Sequence, residues 1–494
     1  MDRMTTAVLS VDIGTSSSKG VLVDFAGRVL TCAVREHAVD RPRPGYVEMP
    51  AHVWWDEFVS LSRELLSKQE AEIVAVGVSG MGPCVLVTDE AGTPLRPTIL
   101  YGVDTRSVAQ IERLTTRYGD ETVRERCGSS LSTQAGGAKI AWIADEEPQV
   151  FAAARRFFMP SSWLVYRLTG EYVLDHHSAS QCTPLYDIDE CTWFQPWVDD
   201  ICPKIDLPPL RWSGEVSGTV TSVAAELTGI PSGTPVTTGT VDAWAEAVSV
   251  DAHSVGDLML MYGTTMFLVN TVREKVTSPS LWGTMGALPD TRSLAGGMST
   301  SGAITGWLRD LFGDSDYATL VRLAEESGVS ANGLLMLPYF AGERTPVMDP
   351  QARGVLAGLT LSHTRGDLYR SALEAIGFGV RHNIEAIEAA GGDVQRIVAV
   401  GGGTQGRLWT QIISDITGRE QVIPSQTIGA SYGGAFLAAR ALEELSIKNW
   451  NPVKEVREPH PETAEVYTAL YGSYRELYTS TRNITHTLAQ HQRR

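Results

Sequence analysis

Long apolar segments are missing from this sequence of 494 residues. No run of 18 or more apolar residues occurs, so no membrane-spanning helix is expected. The richest apolar window, residues 258–270, is interrupted by a Gly-Thr-Thr sequence. The first residues, MDRMTTAVLSVDIG, carry Asp12 in a short apolar stretch and contain no small-residue cleavage site, so we expect no secretory leader. Together these absences predict a cytoplasmic protein.

Basic side chains are in deficit. Lys and Arg number 41 against 58 Asp and Glu, which leaves a net charge of −17. Because proteins that bind nucleic acid need clustered Lys and Arg to neutralise phosphates, this excess of acid argues against a nucleic-acid partner, and it also argues against a membrane surface. A single anionic small molecule is not excluded, provided that its site supplies the compensating charge or hydrogen bonds locally.

Cysteine is also sparse, with six residues at irregular spacing and no Cys-x-x-Cys pair. In a chain of this length we expect reduced thiols of an intracellular protein rather than a disulfide framework. Walker A, His-Glu-x-x-His and Gly-x-Ser-x-Gly sequences are absent, as is zinc-like Cys/His spacing. His176 and His177 form an isolated pair, for which a surface or core position is favoured over metal binding.

The remaining composition is that of a globular protein, with 43% hydrophobic and 20% charged residues. Strand and helix patterns alternate in the first half, which predicts a mixed α/β fold. Apolar residues 7–13 lead through a small polar turn into residues 21–23, and the turn 24–27 leads into residues 29–33. Three strands joined by tight turns predict an antiparallel meander. A helical pattern follows over residues 54–65.

The same order of patterns returns in the second half. Residues 258–262 and 266–272 predict two strands joined by Gly263-Thr264-Thr265, and residues 397–400 lead into a glycine turn and a helix. This repetition, in a chain long enough for two large domains, predicts two related lobes. The expected domains are an N-terminal lobe at 1–250, a C-terminal lobe at 251–445, and a final part at 446–494 with a connector at 452–461 and a packing helix.

Three glycine turns have the composition of phosphate-binding turns. Gly14-Thr15, Gly263-Thr264-Thr265 and Gly402-Gly403-Thr404 each follow a predicted strand and combine backbone N–H groups with a threonine hydroxyl. Such turns bind phosphate oxygens without a cation, although each alone is equally consistent with a simple chain reversal. Residues 401–406 also match Gly-x-Gly-x-x-Gly, but the apolar run about 20 positions later, where a dinucleotide site is expected to carry its acidic residue, reads Gln421-Val422-Ile423-Pro424. Because the turns are far apart in the sequence, one phosphate chain can use all three only between two lobes.

Several ordered blocks resemble the FGGY family of carbohydrate kinases, over roughly Thr6 to Leu442. The blocks are Asp12-Ile13-Gly14-Thr15-Ser16-Ser17-Ser18-Lys19, Arg41–Glu48 before Trp54-Trp55, Gly136-Gly137-Ala138-Lys139-Ile140-Ala141-Trp142, Thr240-Val241-Asp242-Ala243, Gly342-Glu343-Arg344-Thr345-Pro346, and GGGTQGRLWTQIISDITGREQV with Gly429–Ala435. The resemblance implies an α/β fold of two ribonuclease-H-like lobes of the actin and sugar-kinase type. It places the active site in the cleft between the lobes and implies ATP and Mg²⁺ as cofactors.

Two aspartates carry the chemistry that the resemblance implies. Asp242 lies between a predicted strand at 235–238 and a predicted helix at 243–248, and its spacing alone indicates a helix N-cap. By resemblance it is the general base that removes the proton of the accepting hydroxyl, and both roles are compatible. Asp12 ends a buried strand, where an unpaired carboxylate is costly, so it should have a cation or hydrogen-bond partners. By resemblance Asp12 lies near Mg²⁺.

The resemblance also implies the nucleotide-binding residues. They are Gly14, Thr15, Lys19, Gly263, Thr264, Thr265, Gly302, Gly402, Gly403, Thr404 and Arg407. For Lys19, a solvated lysine on a hairpin is the alternative.

The sugar-binding residues implied by the family are Gly80, Met81, Gly82, Tyr101, Asp104, Arg106 and Asp242. Here the chain departs from familiar members: after the predicted strand at 73–78, xylulokinases carry Met-His-Gly and glycerol kinases Arg-Glu, whereas this chain reads Ser79-Gly80-Met81-Gly82-Pro83. Tyr101 replaces the Trp of the family's Trp-x-x-Asp-x-Arg pattern, and Met81 is also consistent with core packing. The missing polar group argues against glycerol and, less firmly, against D-xylulose.

The expected function is therefore an ATP-dependent kinase that transfers the γ-phosphate of MgATP to a hydroxyl of a ketopentose such as xylulose. Another polyol, aldonate or ketose is the alternative within the family. An actin- or chaperone-like ATPase that acts on a protein partner is the alternative from another class, and the sugar-pocket blocks argue against it. The expected partners are the sugar and MgATP, with no nucleic acid and no membrane, and a homodimer is left open.

Overall fold

The computed structural model describes residues 4–313 and 316–492. Its strands are β1 Thr6–Ile13, β2 Ser17–Asp24, β3 Val29–Glu36, β4 Glu48–Met49, β5 Glu72–Gly80, β6 Leu86–Thr88, β7 Thr98–Ile99, β8 Arg156–Phe158, β9 Leu174–Asp175, β10 Tyr186–Asp187, β11 Thr192–Trp193, β12 Leu210–Arg211, β13 Val216–Thr219, β14 Pro235–Thr237, β15 Thr240–Val241, β16 Asp257–Tyr262, β17 Met266–Val272, β18 Trp282–Met285, β19 Arg292–Met298, β20 Leu335–Leu337, β21 Val355–Ala357, β22 Arg396–Val400, β23 Gln421–Pro424 and β24 Val453–Arg457.

The α-helices of the described residues alternate with these strands. They are α1 Ala51–Lys68, α2 Val108–Tyr118, α3 Asp120–Cys127, α4 Gly136–Glu146, α5 Pro148–Ala153, α6 Pro160–Thr169, α7 His176–Ser180, α8 Gln195–Ile201, α9 Ser222–Thr228, α10 Asp242–Ser249, α11 Gly302–Phe312, α12 Tyr317–Ser327, α13 Arg365–Ala389, α14 Arg407–Thr417, α15 Ala430–Arg440, α16 Ile447–Trp450 and α17 Ala464–His491. No helix in this part of the chain is long and apolar enough to cross a membrane.

The first large sheet contains the predicted meander. Its strand order is β13-β14-β5-β1-β2-β3, and β15 also pairs with β5. Strands β1, β2 and β3 are antiparallel neighbours, while β5 and β15 run parallel to β1. The turn between β1 and β2 is closed by a hydrogen bond from the Gly14 N–H to the Ser17 carbonyl at 3.0 Å. Gly27 closes the second hairpin at φ 80°, a left-handed conformation that glycine adopts without strain.

The second large sheet repeats this order. Its strands run β18-β19-β17-β16-β22-β23-β24, with β16, β17 and β19 as the antiparallel meander and β22 and β23 as the parallel continuation. The repetition that the sequence predicts is therefore present in the backbone. In both sheets the first strand of the meander and its parallel neighbour end at the same edge, so the turns that follow them lie side by side.

One segment differs from expectation. Residues 452–461 were expected only to connect, but Val453–Arg457 form β24, which pairs antiparallel with β23 and extends the second sheet. Val453 is exposed and the strand carries charged residues between its valines, as is common on sheet edges, so the sequence shows no strand-like apolar face. The final helix α17 does pack as predicted: Tyr467, Tyr471 and Tyr474 are buried against α13 and neighbouring elements.

A hydrophobic core lies between the two sheets. Helices α10 and α15 contribute to it with residues from β1, β2 and β5 on one side and from β16, β17 and β22 on the other. Helix α15 comes from the second half of the chain but packs directly on β1 and β5. Two glycines allow this approach, because a Cβ at Gly433 would lie 1.8 Å from the Ala245 carbonyl oxygen of α10, and a Cβ at Gly77 of β5 would lie 2.2 Å from the Gly434 carbonyl oxygen.

The substitution Gly433→Ala should therefore destabilise the protein. The added methyl group forces α10 and α15 apart in a closely packed core, and overpacking of this kind typically costs about 1–3 kcal/mol. Urea denaturation measures the effect. The matched control is Gly472→Ala in α17, where a Cβ meets nothing within 4 Å and where alanine is the better helix former. Equal denaturation midpoints for Gly433→Ala and the wild type would contradict the close contact.

Candidate functional site

Two carboxylates lie at the edge of the first sheet where parallel strands end. Asp12 is near the end of β1, opposite Ser79 of β5, and Asp242 follows β15, whose Val241 is opposite Gly80 of β5. A single strand thus separates the two acidic positions, a spacing of roughly 10 Å between backbones. The N-cap expectation is off by one residue: Val241 is the N-cap, and Asp242 is the first residue of α10, where its Oδ1 accepts the Ala243 N–H at 2.7 Å.

The acidic residues at this edge are difficult to ionise together. Burial raises the pKa of Asp12, and the negative charge of Asp242 raises it further, while a hydrogen bond from Ser79 Oγ at 2.8 Å opposes the shift. Burial also raises the pKa of Asp242. Glu246, one turn later on α10, has its pKa raised to about 7 by burial and by Asp242. This edge therefore favours a positively charged partner.

Lys19 is one positive charge near this edge. It lowers the pKa of both Asp12 and Glu246, and its Nζ donates a hydrogen bond to the Ile428 carbonyl at 2.6 Å. Ile428 immediately precedes the Gly429 turn that begins α15, so the lysine joins the two halves of the chain. The side chain is half-buried rather than a solvated hairpin lysine. Its predicted contact with nucleotide stays a prediction.

A cavity of about 260 Å³ opens beside Asp242. The aromatic side of its wall comes from Trp244, Phe267 and Trp282. The polar side is rich in hydroxyl and amide groups, from Ser129, Ser130, Ser132, Gln134, Ser180, Gln181, Thr183 and Thr284. Asp242 and Arg344 are the charged side chains among the described lining residues. A site of this composition is suited to a small molecule with both C–H faces and hydroxyl groups.

The structure brings part of the predicted sugar site to this cavity. Met81, Gly82, Tyr101 and Asp242 line it, and Tyr101 contacts the first glycine turn through a hydrogen bond between its hydroxyl and Thr15 Oγ1 at 3.0 Å. Gly80 is buried at the end of β5, where a Cβ would lie 2.7 Å from Pro160, and it does not line the cavity.

Asp104 and Arg106 lie elsewhere. Both side chains are fully buried, and Arg106 forms ion pairs with Asp104 and Glu48 at 2.7 Å each. Asp104 also accepts the Val47 N–H at 2.6 Å. These contacts fix the loop that carries Tyr101, but neither side chain lines the cavity, so direct substrate binding by this pair stays a prediction.

A second cavity, of about 540 Å³, adjoins the glycine turns of the second sheet. Of the predicted nucleotide residues, it is lined by Gly263, Thr264, Gly302, Gly402 and Gly403. Its remaining wall includes Thr305, Tyr317, Val321, Tyr369, Leu373, Leu408 and Trp409. A cavity lined by glycine turns and by aromatic side chains has the composition expected for a nucleotide site.

The turn Gly263-Thr264-Thr265 lies between the two cavities. Thr264 lines the larger cavity, whereas Thr265 lines the smaller one, so the nucleotide role predicted for Thr265 is not matched by its position. Gly302 must approach this turn closely, because its N–H donates to the Gly263 carbonyl at 2.9 Å and a Cβ would lie 2.7 Å from that oxygen. The cavities therefore meet at one backbone turn.

The N–H groups of these turns are not all available. The Gly14 N–H and the Gly263 N–H each close their own turn, at 3.0 and 3.1 Å, so these two amides are not free for phosphate. The amides of Thr15 and Thr264 have no partner among the described residues. Thr404 Oγ1 donates to the Gly401 carbonyl at 2.8 Å.

Thr404 and Arg407 do not line the larger cavity. Arg407 is exposed at the start of α14, and contact of either residue with a nucleotide stays a prediction.

Sequence reasoning missed most of the polar wall. Residues 128–135 read Gly-Ser-Ser-Leu-Ser-Thr-Gln-Ala, a run of small polar residues that resembles an ordinary loop. The one sequence feature that could have assigned this run to the site is its position directly before the family block at 136–142. Arg344 was noted within a family block but was not assigned to the site. Gln181 and Thr183 follow the histidine pair and carry no recognised pattern.

Comparison with known proteins bears on this arrangement. The model of the FGGY family of carbohydrate kinases, N-terminal domain, matches residues 7–249, and that of the C-terminal domain matches residues 258–442. A xylulose kinase from Staphylococcus epidermidis is 28% identical over 489 residues, which cover 97% of each chain. A glycerol kinase from Nocardia farcinica is 30% identical over 475 residues, covering 91% of this chain and 92% of the relative.

A solved structure agrees over nearly the whole chain. The crystal structure of xylulose kinase from Rhodospirillum rubrum matches with a TM-score of 0.91 and 31% sequence identity, covering 97% of this chain and 100% of that chain. The predicted α/β fold of two sugar-kinase lobes is thereby confirmed. The chain belongs to the FGGY family of carbohydrate kinases.

Proposed function

We propose that this protein transfers the γ-phosphate of MgATP to a hydroxyl of a ketopentose such as xylulose. The supporting observation is that the two cavities meet at the turn Gly263-Thr264-Thr265, with Asp242 in the smaller one. A sugar in the smaller cavity and a nucleotide in the larger one bring acceptor and phosphate together at that turn. The relatives named xylulose kinases, which match along nearly their full length, support the choice of sugar.

Asp242 has the position and environment of the general base. Phosphoryl transfer needs the acceptor hydroxyl held in line with the phosphorus and a group that receives its proton. Asp242 lines the smaller cavity, and its raised pKa brings the carboxylate nearer to the proton affinity useful at neutral pH. The Ala243 N–H bond to Oδ1 fixes the carboxylate, which leaves Oδ2 for the substrate hydroxyl.

The acidic residues fit Mg²⁺ bound together with ATP. Within residues 4–313 and 316–492, no group of three or more His, Cys, Asp or Glu side chains is arranged to hold a metal ion. Asp12 supplies one carboxylate, and Mg²⁺ in kinase sites uses one or two carboxylates together with water and phosphate oxygens. When bound, Mg²⁺ would neutralise phosphate charge. Asp12 would hold it, and Ser79 keeps the Asp12 side chain in place.

Arg344 favours a second candidate, an aldonate. Its guanidinium lines the smaller cavity, where Nη2 donates to the Met298 carbonyl at 2.8 Å and the buried Nε has no partner among the described residues. A carboxylate on the acceptor would pair with this group. A coupled assay of ADP release across ketopentoses, polyols and aldonates separates the candidates.

The variant Asp242→Asn should lose turnover while it still binds MgATP. Loss of a general base typically lowers kcat by about 10²–10⁴-fold, whereas the larger cavity is unchanged. Steady-state kinetics and calorimetric titration of MgATP measure the two effects. The matched control is Asp120→Asn, which changes the first residue of helix α3 on the exposed surface and should leave kcat unchanged. Retained turnover in Asp242→Asn would show that Asp242 is not the general base.

MgATP should bind much more tightly than free ATP, and added salt should weaken MgATP binding only mildly. The chain carries a charge of −17 and its cleft holds Asp12, Asp242 and Glu246, so an uncompensated triphosphate is repelled. The backbone amides of the turns are dipoles rather than net charges, so their contacts depend little on ionic strength. Calorimetry with and without Mg²⁺, at low and high KCl, measures both. A steep loss of MgATP affinity with salt would instead indicate binding through a cluster of basic side chains.

A further inference from the structure

His177 occupies a buried position beside the smaller cavity. The ring is fully buried and lies against Trp244, with ring centroids 3.7 Å apart. Its Nδ1 is 2.7 Å from the Met285 carbonyl oxygen. A carbonyl oxygen only accepts hydrogen bonds, so Nδ1 carries the proton. Burial lowers the pKa of His177 to about 3, which keeps the ring neutral and leaves Nε2 without a proton.

This tautomer fixes the side-chain amide of Gln181. The Gln181 Nε2 is 2.6 Å from His177 Nε2, and since the histidine nitrogen has no proton, the amide N–H donates. The amide oxygen Oε1 therefore points away from the ring, and it has no partner among the described residues. The backbone of Gln181 is held as well, because its carbonyl accepts the Gly136 N–H at 3.1 Å.

Gln181 thus presents an oriented acceptor to the cavity. The residue lines the cavity, and a free rotation of the amide would lose its bond to His177. Thr284 is a second observation in favour of a polar ligand. It lines the same cavity and is 6% exposed, and its buried Oγ1 has no partner within the described residues. Buried polar atoms normally have partners, so these groups are suited to a polyhydroxylated molecule.

We propose that Gln181 selects the acceptor sugar by accepting a hydrogen bond from one of its hydroxyls, and that His177 is the positioning residue that holds the amide in this orientation. The proposal rests on the proposed function, in that the smaller cavity takes the sugar. It goes beyond that function by assigning a specificity-determining residue to the smaller cavity. An acceptor without a hydroxyl at this place leaves the amide oxygen unpaired and is rejected.

The test is calorimetric titration of sugar in the absence of nucleotide, so that it does not depend on phosphoryl transfer. The probes are D-xylulose and analogues of it that each lack one hydroxyl. In the wild type, one analogue should bind about 2- to 12-fold more weakly than D-xylulose, the typical effect of one lost hydrogen bond. In Gln181→Leu and in Gln181→Met, the affinity for D-xylulose should fall by a similar factor. The affinity for that analogue should then equal the affinity for D-xylulose. Unchanged discrimination in both variants overturns the proposal.

The role of His177 is tested through Gln181. His177→Phe keeps an aromatic ring against Trp244 but removes the acceptor for the amide. This substitution should lower the affinity for D-xylulose several-fold in the otherwise wild-type protein. In the Gln181→Leu background it should cause no further loss of affinity. Equal weakening in both backgrounds would mean that His177 only supports the packing, which overturns its positioning role.

His176→Phe is the matched control. His176 lies against Trp212, its Nδ1 is bonded to the Tyr186 hydroxyl, and it does not line the cavity, so sugar affinity should be unchanged. Thermal melting of each variant confirms folding before titration.

Failure of the proposed function gives a different result. If D-xylulose binds but is not phosphorylated in the presence of MgATP, the proposed function is wrong. The role of Gln181 is then still decided by the sugar affinities of the variants, which are measured without nucleotide. If D-xylulose does not bind to the wild type, glycerol and D-gluconate replace it as probes, with the same variants. If none of the three binds, the smaller cavity is not a sugar site and both proposals are overturned.

Discussion

Asp12 and Asp242 are held at one edge of a sheet, with a single strand between them. The constraint comes from topology, because β1 and β15 both run parallel to β5 and end where it ends. Two carboxylates in such a place cannot both carry a charge cheaply, and burial raises the pKa of each. Nearby donors stabilise the carboxylates: the Ser79 hydroxyl donates a hydrogen bond to Asp12, and a backbone amide donates one to Asp242. Lys19 of β2, which is bonded to the Ile428 carbonyl, adds a positive charge.

The same constraint explains why the protein has two lobes. A cation that compensates the acids, and the triphosphate bound with it, must come from outside the first sheet, and the turn 263–265 of the second sheet lines both cavities beside Asp242. The helices α10 and α15 bring the halves together, with backbone contacts so close that Gly77 and Gly433 leave no space for a side chain. Asp242 begins one of these helices, so the packing of the lobes also fixes the position of Asp242.

Much of this arrangement was predictable from residue patterns. Apolar periodicity and glycine turns located both meanders and the turn at 263–265, and ordered family blocks located Asp12 and Asp242. Features that depend on long-range contacts were not predictable. The edge strand β24 has no apolar face of its own, and it forms because β23 offers unpaired backbone groups. Residues 128–135 look like a plain loop until the fold turns them toward Asp242.

The ion pair of Asp104 and Arg106 shows a related limit. Asp104 and Arg106 are charged residues in a family pattern, and a pattern alone does not tell a ligand contact from an internal ion pair. In the structure Arg106 forms ion pairs with both Asp104 and Glu48, and these residues do not line the cavity. The availability of the turn amides was equally hidden, because the bonds that close the Gly14 and Gly263 turns depend on backbone geometry. In both examples, contacts formed only in the folded chain determine which groups are free to bind a ligand.

The position of α15 also sets the order in which the protein can be completed during synthesis. Val8, Val21 and Ala75 of the first sheet belong to the core that contains Tyr432 and Phe436, which leave the ribosome more than 350 residues after Ala75. At ordinary translation rates that interval is on the order of 20–70 s. During it, part of one apolar face of the first sheet lacks its natural cover, and the first lobe is vulnerable to misassociation until the second lobe is nearly finished.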